Sequence, residues 1–422
     1  MKSGLSSSAA LLPGIVAAAL LVAPARADVI TDWNVTTNAL VAKDVGNNPK
    51  LRTLAMVHVA MSDAINTVQN RYTRVVATLP AAPGASAEAA AATAARQILT
   101  QIYPGQKAKI EEAYAESLKA IPDGPARTEG IKLGIAVAEA VQADRANDGT
   151  NAPDTYRPHT TPGAYVTTTP PLWEQYARAK PWVLKSADQF RPGPPPVLSS
   201  AEWARDYNEV KSLGGTKSTA RTPEQSEAVR FWDNVNFGPT WQAAARVLSI
   251  KKELPLAECA RLFALLNMSL ANAYIVNWDA KYTYNFWRPV TAIRAADADN
   301  NPETAADPNW LPEVGTTAPD PSYPGAHAVI SGGGAAVLDS FFKGHHFNFT
   351  VTSEVLPGVE RSFDDFQDAA EEAALSRIFA GQHFRFDLTT GERLGREVAD
   401  FVVDHLLTPR HAKKGSGEKK QG

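Results

Sequence analysis

The sequence is short of most features that would restrict a chain to a specialised class. Its 422 residues contain one cysteine, Cys259, so no intrachain disulfide can form. Cys259 sits in Ala257-Glu-Cys-Ala-Arg-Leu-Phe-Ala-Leu-Leu, an apolar run at helical spacing, which reads as a buried structural thiol. A charge excess is also missing. The 42 Lys and Arg nearly balance 45 Asp and Glu, leaving −3, and such a chain has no electrostatic reason to bind nucleic acid. Beyond residue 27 no uninterrupted apolar run has the length of a membrane span. Strand-like alternation is nearly absent and no internal repeat is detectable, which leaves an all-α architecture of packed helical bundles.

What is present divides the chain into four regions. Residues 1–27 read as an export signal. Lys2 opens it, a small-apolar run follows from Ala9 to Val22, and Ala25-Arg26-Ala27 fits a small-x-small cleavage site. The alternative, an uncleaved anchor, is disfavoured by Pro13 and Pro24. Cleavage would place the protein in the periplasm or outside the cell and, with Lys2 and Arg26 removed, shift the formal charge from −3 to −5.

Residues 28–199 form an N-terminal helical region, with apolar residues at helical spacing over Leu51–Gln69, Ala87–Ile102, Lys107–Lys119 and Arg127–Asn147. It closes with a Pro-, Thr- and Tyr-rich stretch, Asn151–Pro196, that cannot be helical. Trp173, Tyr176, Trp182 and Phe190 make that stretch an ordered wrapping loop rather than a disordered linker. Residues 200–410 form a C-terminal helical bundle, with helices at Ser200–Leu213, Pro223–Asn236, Thr240–Ser249, Leu256–Tyr282, His327–Phe342, Phe363–Ala380 and Thr390–Leu407. Thr389-x-x-Glu392 fits a capping box for the last. Asp297-Ala-Asp-Asn-Asn301 lacks the glycine and glutamate of a calcium loop and reads as a solvated turn. Residues 411–422 form a Lys- and Gly-rich tail, read as disordered.

Three C-terminal segments carry chemistry: Lys281-Tyr-Thr-Tyr-Asn-Phe-Trp-Arg288-Pro289, Pro321-Ser-Tyr-Pro-Gly325-Ala326-His327, and Ser376-Arg377-Ile-Phe-Ala-Gly-Gln-His383-Phe-Arg-Phe-Asp387. Lys281, Arg288 and Arg377 can neutralise the oxygens of a tetrahedral oxyanion, the arginines through planar, bidentate contacts. His327 and His383 can exchange protons near neutral pH. Lys281 and Arg288 are seven residues apart, about two turns or roughly 10 Å on one helical face. Pro289 disfavours helix at Arg288, which places the arginine between two helices. Gly325 and Ala326 precede a helix rich in small residues, Ser331-Gly-Gly-Gly-Ala-Ala336, and backbone amides at such a start can cradle an anion. Gly381 can end a helix and turn the chain back toward His383. Asp387 is placed in sequence to accept the other ring N–H of His383.

In this order and spacing, the three segments resemble the signature of the type 2 phosphatidic acid phosphatase superfamily, and within it the vanadium-dependent haloperoxidases. The resemblance extends to Asp32-Trp33-Asn34, Met56-Val-His-Val-Ala-Met-Ser-Asp-Ala-Ile-Asn66 and Arg361-Ser362-Phe363. It implies that Lys281, Arg288, Arg377 and the Gly325–Ala326 amides bind the oxyanion, with His383 as the axial ligand of vanadate and His327 as acid/base. The chain departs from the family pattern Ser-Gly-His by having Gly325-Ala326-His327, so one hydroxyl donor is missing.

The same cradle allows two chemistries. One is halide oxidation by hydrogen peroxide on bound vanadate. The other is phosphomonoester hydrolysis through a phosphohistidine at His383, with no cofactor. Resemblance outside the shared motifs favours the peroxidase. A third class, a non-catalytic oxyanion-binding protein, does not call for two histidines and a carboxylate. The sequence leaves the halide and the oligomeric state open, a homo-oligomer included. The remaining features have bland readings. His58 lies on an apolar helix and belongs to the core, His345 and His346 lack companion metal ligands, and Asn34-Val-Thr36 and Asn348-Phe-Thr350 are common sequon triplets.

Overall fold

The computed structural model describes residues 28–167, 171–233, 238–343, 346–353 and 355–410. The export-signal reading of residues 1–27 and the tail at 411–422 fall outside the described residues. The N-terminal region contains α1 (Val29–Val41), α2 (Asn47–Gln69), α3 (Ala87–Ile102), α4 (Lys107–Lys119) and α5 (Pro125–Arg145). The starts of α1 and α3 follow from local chemistry. Asp28 Oδ1 accepts from the amides of Ile30 and Thr31 at 3.0 Å, and Ser86 Oγ accepts from Ala89 N at 3.1 Å, each quenching orphan donors of a helix start.

After the loop come α6 (Ala201–Leu213), α7 (Pro223–Trp232), α8 (Gly238–Lys251), α9 (Leu256–Tyr284), α10 (Pro289–Arg294), α11 (Ala326–Phe342), α12 (Phe366–Phe379) and α13 (Arg385–His405). α9 is the axle of the fold, packing on α2 from one side and on α11 and α13 from the other. One hydrophobic cluster therefore runs without a break from Ile30 to Leu407. α9 also qualifies the expectation about membrane spans. It is 29 residues long and contains an 18-residue window of mean hydropathy 1.4, long and apolar enough to cross a bilayer, yet 94% of that window is buried inside the fold, as befits a core helix. α11 and α13 pack backbone to backbone. A Cβ on Gly395 would lie 2.1 Å from Val329 O, so only glycine permits this approach.

The 151–196 loop is ordered over its described residues. Trp173 Nε1 donates to Val45 O at 2.9 Å, Trp182 N donates to Asn272 Oδ1 at 2.8 Å, and Tyr176 is buried. Its residues 163–165 grip the segment after α9, with Tyr165 N donating to Asn285 O at 2.7 Å and Trp287 N donating to Gly163 O at 2.9 Å.

Two helix starts and one turn differ from the expectation. The architecture is all-α as expected, with one two-stranded antiparallel hairpin among the described residues, β1 (His346–Thr352) and β2 (Glu360–Asp365), so the helix expected from Phe363 begins at Phe366. Exposure along β2 alternates residue by residue, the period of a strand. The last helix begins at Arg385 rather than Thr390. Thr389 lies inside its second turn, and the N-terminal role falls to Asp387, whose Oδ2 accepts from Phe384 N at 3.1 Å. The Asp297–Asn301 turn is solvated only in part: Asp297, Ala298 and Asn300 are exposed, while Asp299 and Asn301 are buried. Asp299 is buried and accepts from Trp203 Nε1 at 2.9 Å and from Thr304 Oγ1 at 2.8 Å. Asn34 is fully buried, its amide donating to Gln242 Oε1 at 2.8 Å and lying 2.9 Å from His58 Nε2, so the folded chain cannot present it for glycosylation. Asn348 is exposed on β1.

Candidate active site

The first cation pair is set by the end of α9. Lys281 occupies its last turn, and Asn285 stops it in the left-handed conformation at φ 46°. Beyond Phe286 and Trp287, Pro289 opens α10 with its fixed φ, leaving Arg288 as the N-cap with φ −86° and ψ 157°. Phe286 and Trp287 anchor this corner in a second apolar cluster. There Trp203 stacks on Trp287 at 5.7 Å, and Phe384 on Phe386 at 5.2 Å. One aromatic wall thereby fixes Arg288 and, from the opposite strand of chain, His383.

Arg288 Nη1 lies 3.0 Å from His383 Nε2 and donates to Gln382 O at 3.1 Å. A guanidinium has only donors, so His383 Nε2 must be the unprotonated, accepting nitrogen. The proton then sits on Nδ1, which donates to Asp387 Oδ2 at 3.0 Å. Gly381, at φ 75°, makes the turn from α12 that brings His383 there, and Asp387 is fixed in the first turn of α13. Ser322 Oγ also donates to Asp387 Oδ2, at 2.5 Å. Burial, followed by Arg288 and Lys281, keeps the pKa of His383 well below 6.5. Burial raises Asp387 to about 6 against the pull of Ser322 and Lys281. The result is a neutral imidazole at the cavity wall, its Nε2 lone pair met by Arg288 and a carboxylate behind it.

On the far side, Arg377 Nη1 lies 3.2 Å from His327 Nε2, again an arginine donor on an accepting ring nitrogen. Asp233 Oδ1 faces Arg377 Nη1 and Nη2 at 3.5 Å. Arg377 Nε is buried and, among the described residues, has no hydrogen-bond partner. Ala326 and His327 start α11 at the cavity wall.

Two placements differ from the sequence expectation. Gly325 does not line the cavity, and its amide donates to Asp387 O at 2.9 Å instead of facing an oxyanion. Its φ is −74°, so glycine is not required there by backbone conformation. Glycine is favoured by packing, since a Cβ would lie 2.9 Å from Leu388 Cδ2. Lys281 is fully buried one layer behind the cavity surface, donating to Asp320 Oδ1 at 2.9 Å, to Ser322 O at 3.1 Å and to Pro321 O. Burial lowers its pKa to about 8, with Asp320 opposing that fall.

Asp320 escaped the sequence reading. Its Oδ1 also accepts from Arg288 Nη2 at 2.8 Å, and its backbone oxygen accepts from Arg288 Nε at 2.9 Å. Burial alone would raise its pKa, but Lys281 and Arg288 together hold it below the usual carboxylate value. Ser322, Gln382 and Asp233 were missed as well. Only Ser322 left a signal, standing inside the Pro-Ser-x-Pro segment.

The cavity these groups surround is about 350 Å³. Arg288, Arg377, His327, His383, Asp320 and Ala326 contribute its polar floor, and Trp278, Tyr274, Leu172, Trp173 and Val314 its apolar walls. The donor set suits a tetrahedral oxyanion. Two arginines line one cavity, a buried Arg377 N–H has no acceptor among the described residues, and an unprotonated imidazole nitrogen lies at the same cavity wall. Among the described residues no cluster of three His, Cys, Asp or Glu side chains could hold a bare metal ion.

Comparison with known proteins finds similarity to vanadium haloperoxidases. Residues 261–411 match the family model described as the VCPO second helical-bundle domain. Vanadium chloroperoxidase from Curvularia inaequalis is 26% identical over 279 residues, covering 50% of this chain and 45% of the relative. The match thus spans a little under half the length of that curated protein. Among solved structures, a bacterial vanadium-dependent iodoperoxidase superposes with a TM-score of 0.75 at 26% identity, covering 90% of this chain and 96% of the other. The apo- and holo-type structures of a bacterial vanadium-dependent chloroperoxidase share the fold, with TM-scores of 0.71 and 0.70, both at 16% identity. Each covers 86% of this chain, and 94% and 93% respectively of the other.

Proposed function

We propose that this chain, which belongs to the vanadium haloperoxidase family, binds vanadate through His383 and uses it to oxidise halide with hydrogen peroxide to hypohalous acid. One observation supports this most directly. The accepting Nε2 of His383 faces a cavity between two arginines, while Nδ1–H is held by a buried carboxylate. Bound there, vanadate would supply a Lewis-acidic centre that activates peroxide toward attack by a halide.

The chain's own residues do the rest. Asp387 fixes the tautomer and ring orientation of His383 and raises the basicity of Nε2. Arg288 and Arg377 neutralise oxyanion charge from two sides, in a space from which the Trp278, Leu172 and Val314 walls exclude much of the water. His327 Nε2, held against Arg377, accepts a proton from an incoming peroxide and returns one to a leaving oxygen. Lys281 adds positive potential from behind the floor. Direct contact between Lys281 and an oxygen ligand requires it to exchange one of its three protein acceptors.

The test is to assay purified protein with and without orthovanadate, following oxidation of iodide, bromide and chloride by peroxide alongside phosphomonoester hydrolysis. Vanadate-dependent halide oxidation is expected. Hydrolysis inhibited by vanadate, without halide oxidation, would replace the proposal by the phosphatase reading, with His383 as nucleophile.

A further inference from the structure

Counting donors at the cavity floor leads further, on the premise that the cavity is an oxyanion site. A lysine ammonium has three N–H groups. Those of Lys281 are met by Asp320 Oδ1, Pro321 O and Ser322 O. Arginine has five, and four of those on Arg288 are accounted for by Asp320 Oδ1, Asp320 O, Gln382 O and His383 Nε2. A single carboxylate oxygen thus bridges two of the three cations, and its residue lines the cavity while being only 8% exposed. Oxygens of a bound oxyanion would need these same donors. The carboxylate stands where incoming negative charge would be neutralised.

We propose that Asp320 is a specificity-determining residue: a built-in carboxylate that competes with the bound oxyanion for Lys281 and Arg288, weakening binding and disfavouring the more highly charged oxyanions. The rival role is structural, with Asp320 merely aligning the two cations. The two roles differ in sign. Removing an aligning group lowers affinity, whereas removing a competitor raises it.

The experiment measures binding of orthovanadate and of inorganic phosphate by equilibrium dialysis, on the full chain and on Asp320→Asn, Asp320→Ser and Asp320→Glu. A unit charge removed beside a ligand, at the effective dielectric of a protein, changes affinity on the order of ten- to a hundredfold. Both neutral variants should bind both probes more tightly by about that factor, phosphate, the more highly charged near neutral pH, gaining more than vanadate, and vanadate should raise their melting temperatures more than that of the parent chain. Asp320→Glu keeps the carboxylate and should show no tightening. It also carries the test should the neutral variants fail to fold. Equal or weaker binding by the neutral variants, or tighter binding by Asp320→Glu, would overturn the proposal. Failure of the parent chain and all variants to bind either probe is a separate result, which would overturn the oxyanion reading itself.

Discussion

Replacing Asp387 by asparagine isolates the contribution of one buried charge to the site. Asp387 Oδ2 accepts from His383 Nδ1 at 3.0 Å, Ser322 Oγ at 2.5 Å and Phe384 N at 3.1 Å, while Oδ1 has no partner among the described residues. Asparagine can place its amide nitrogen at Oδ1 and keep an acceptor at Oδ2, so the geometry survives and the charge is lost. A hydrogen bond to a charged group exceeds a neutral one by about 1.5 kcal/mol, which is about tenfold in affinity. Groups supporting a ligating histidine typically contribute ten- to a hundredfold, so vanadate affinity should fall by roughly that range.

Stability should move differently. Burial raises the folded-state pKa of Asp387 from 3.8 to about 6. Its contribution to stability is therefore fully present below the unfolded value and lost as pH rises through about 6. At pH 8 the ionised carboxylate is a burden on the fold, and asparagine should not lower the melting temperature in step with the lost affinity. Vanadate binding by equilibrium dialysis, alongside thermal melts at pH 8, reads both quantities. Unchanged vanadate affinity in a folded Asp387→Asn protein would refute the reasoning that Asp387 acts through His383.

Other perturbations discriminate the remaining roles. His327→Ala should retain most oxyanion affinity while suppressing turnover by about a hundredfold or more, the usual loss of a general acid/base. Equal loss of binding and turnover would remove that assignment. Gly325→Ser should leave oxyanion affinity unchanged, because its Cβ points at Leu388 Cδ2 at 2.9 Å, and should lower stability by about 1–3 kcal/mol in a chemical denaturation series. A gain in affinity would mean that position 325 faces the oxyanion after all. Lys281, with its pKa lowered from 10.5 to about 8, contributes stability that is present above 10.5 and lost as pH falls through 8. The parent chain should therefore gain up to ~3 kcal/mol on Lys281→Met between pH 8 and 10.5, and parallel stability profiles would contradict the buried placement of the ammonium.

Features encoded locally were legible in the sequence. The start of α3, the break between Lys281 and Arg288 and the turn at Gly381 each follow from a cap, a proline or a glycine within a few residues. The pairing of His383 with Asp387 is also local, four residues apart on one turn. Asp320 was hidden because its partners lie 32 and 39 residues upstream, and nothing at Pro319-Asp320-Pro321 marks a carboxylate that will be buried between two cations. The Gly325 amide was misread for a related reason. An amide at a helix start serves as an anion site only if no other acceptor reaches it, and the Asp387 carbonyl does. The β1–β2 hairpin and the buried Asp299 turn were missed because polar side chains dominate both segments. In each, burial comes from partners distant in sequence, such as Trp203 for Asp299.

The central claim, that His383 holds vanadate in a cradle of arginines, is tested most directly by vanadate retention. The purified protein would be incubated with orthovanadate, passed through a desalting column, and its vanadium content measured, in parallel with His383→Ala. The account predicts about one vanadium per chain in the parent protein and almost none in the variant, with both proteins folded. Equal vanadium content in the two, or none in either, would contradict it.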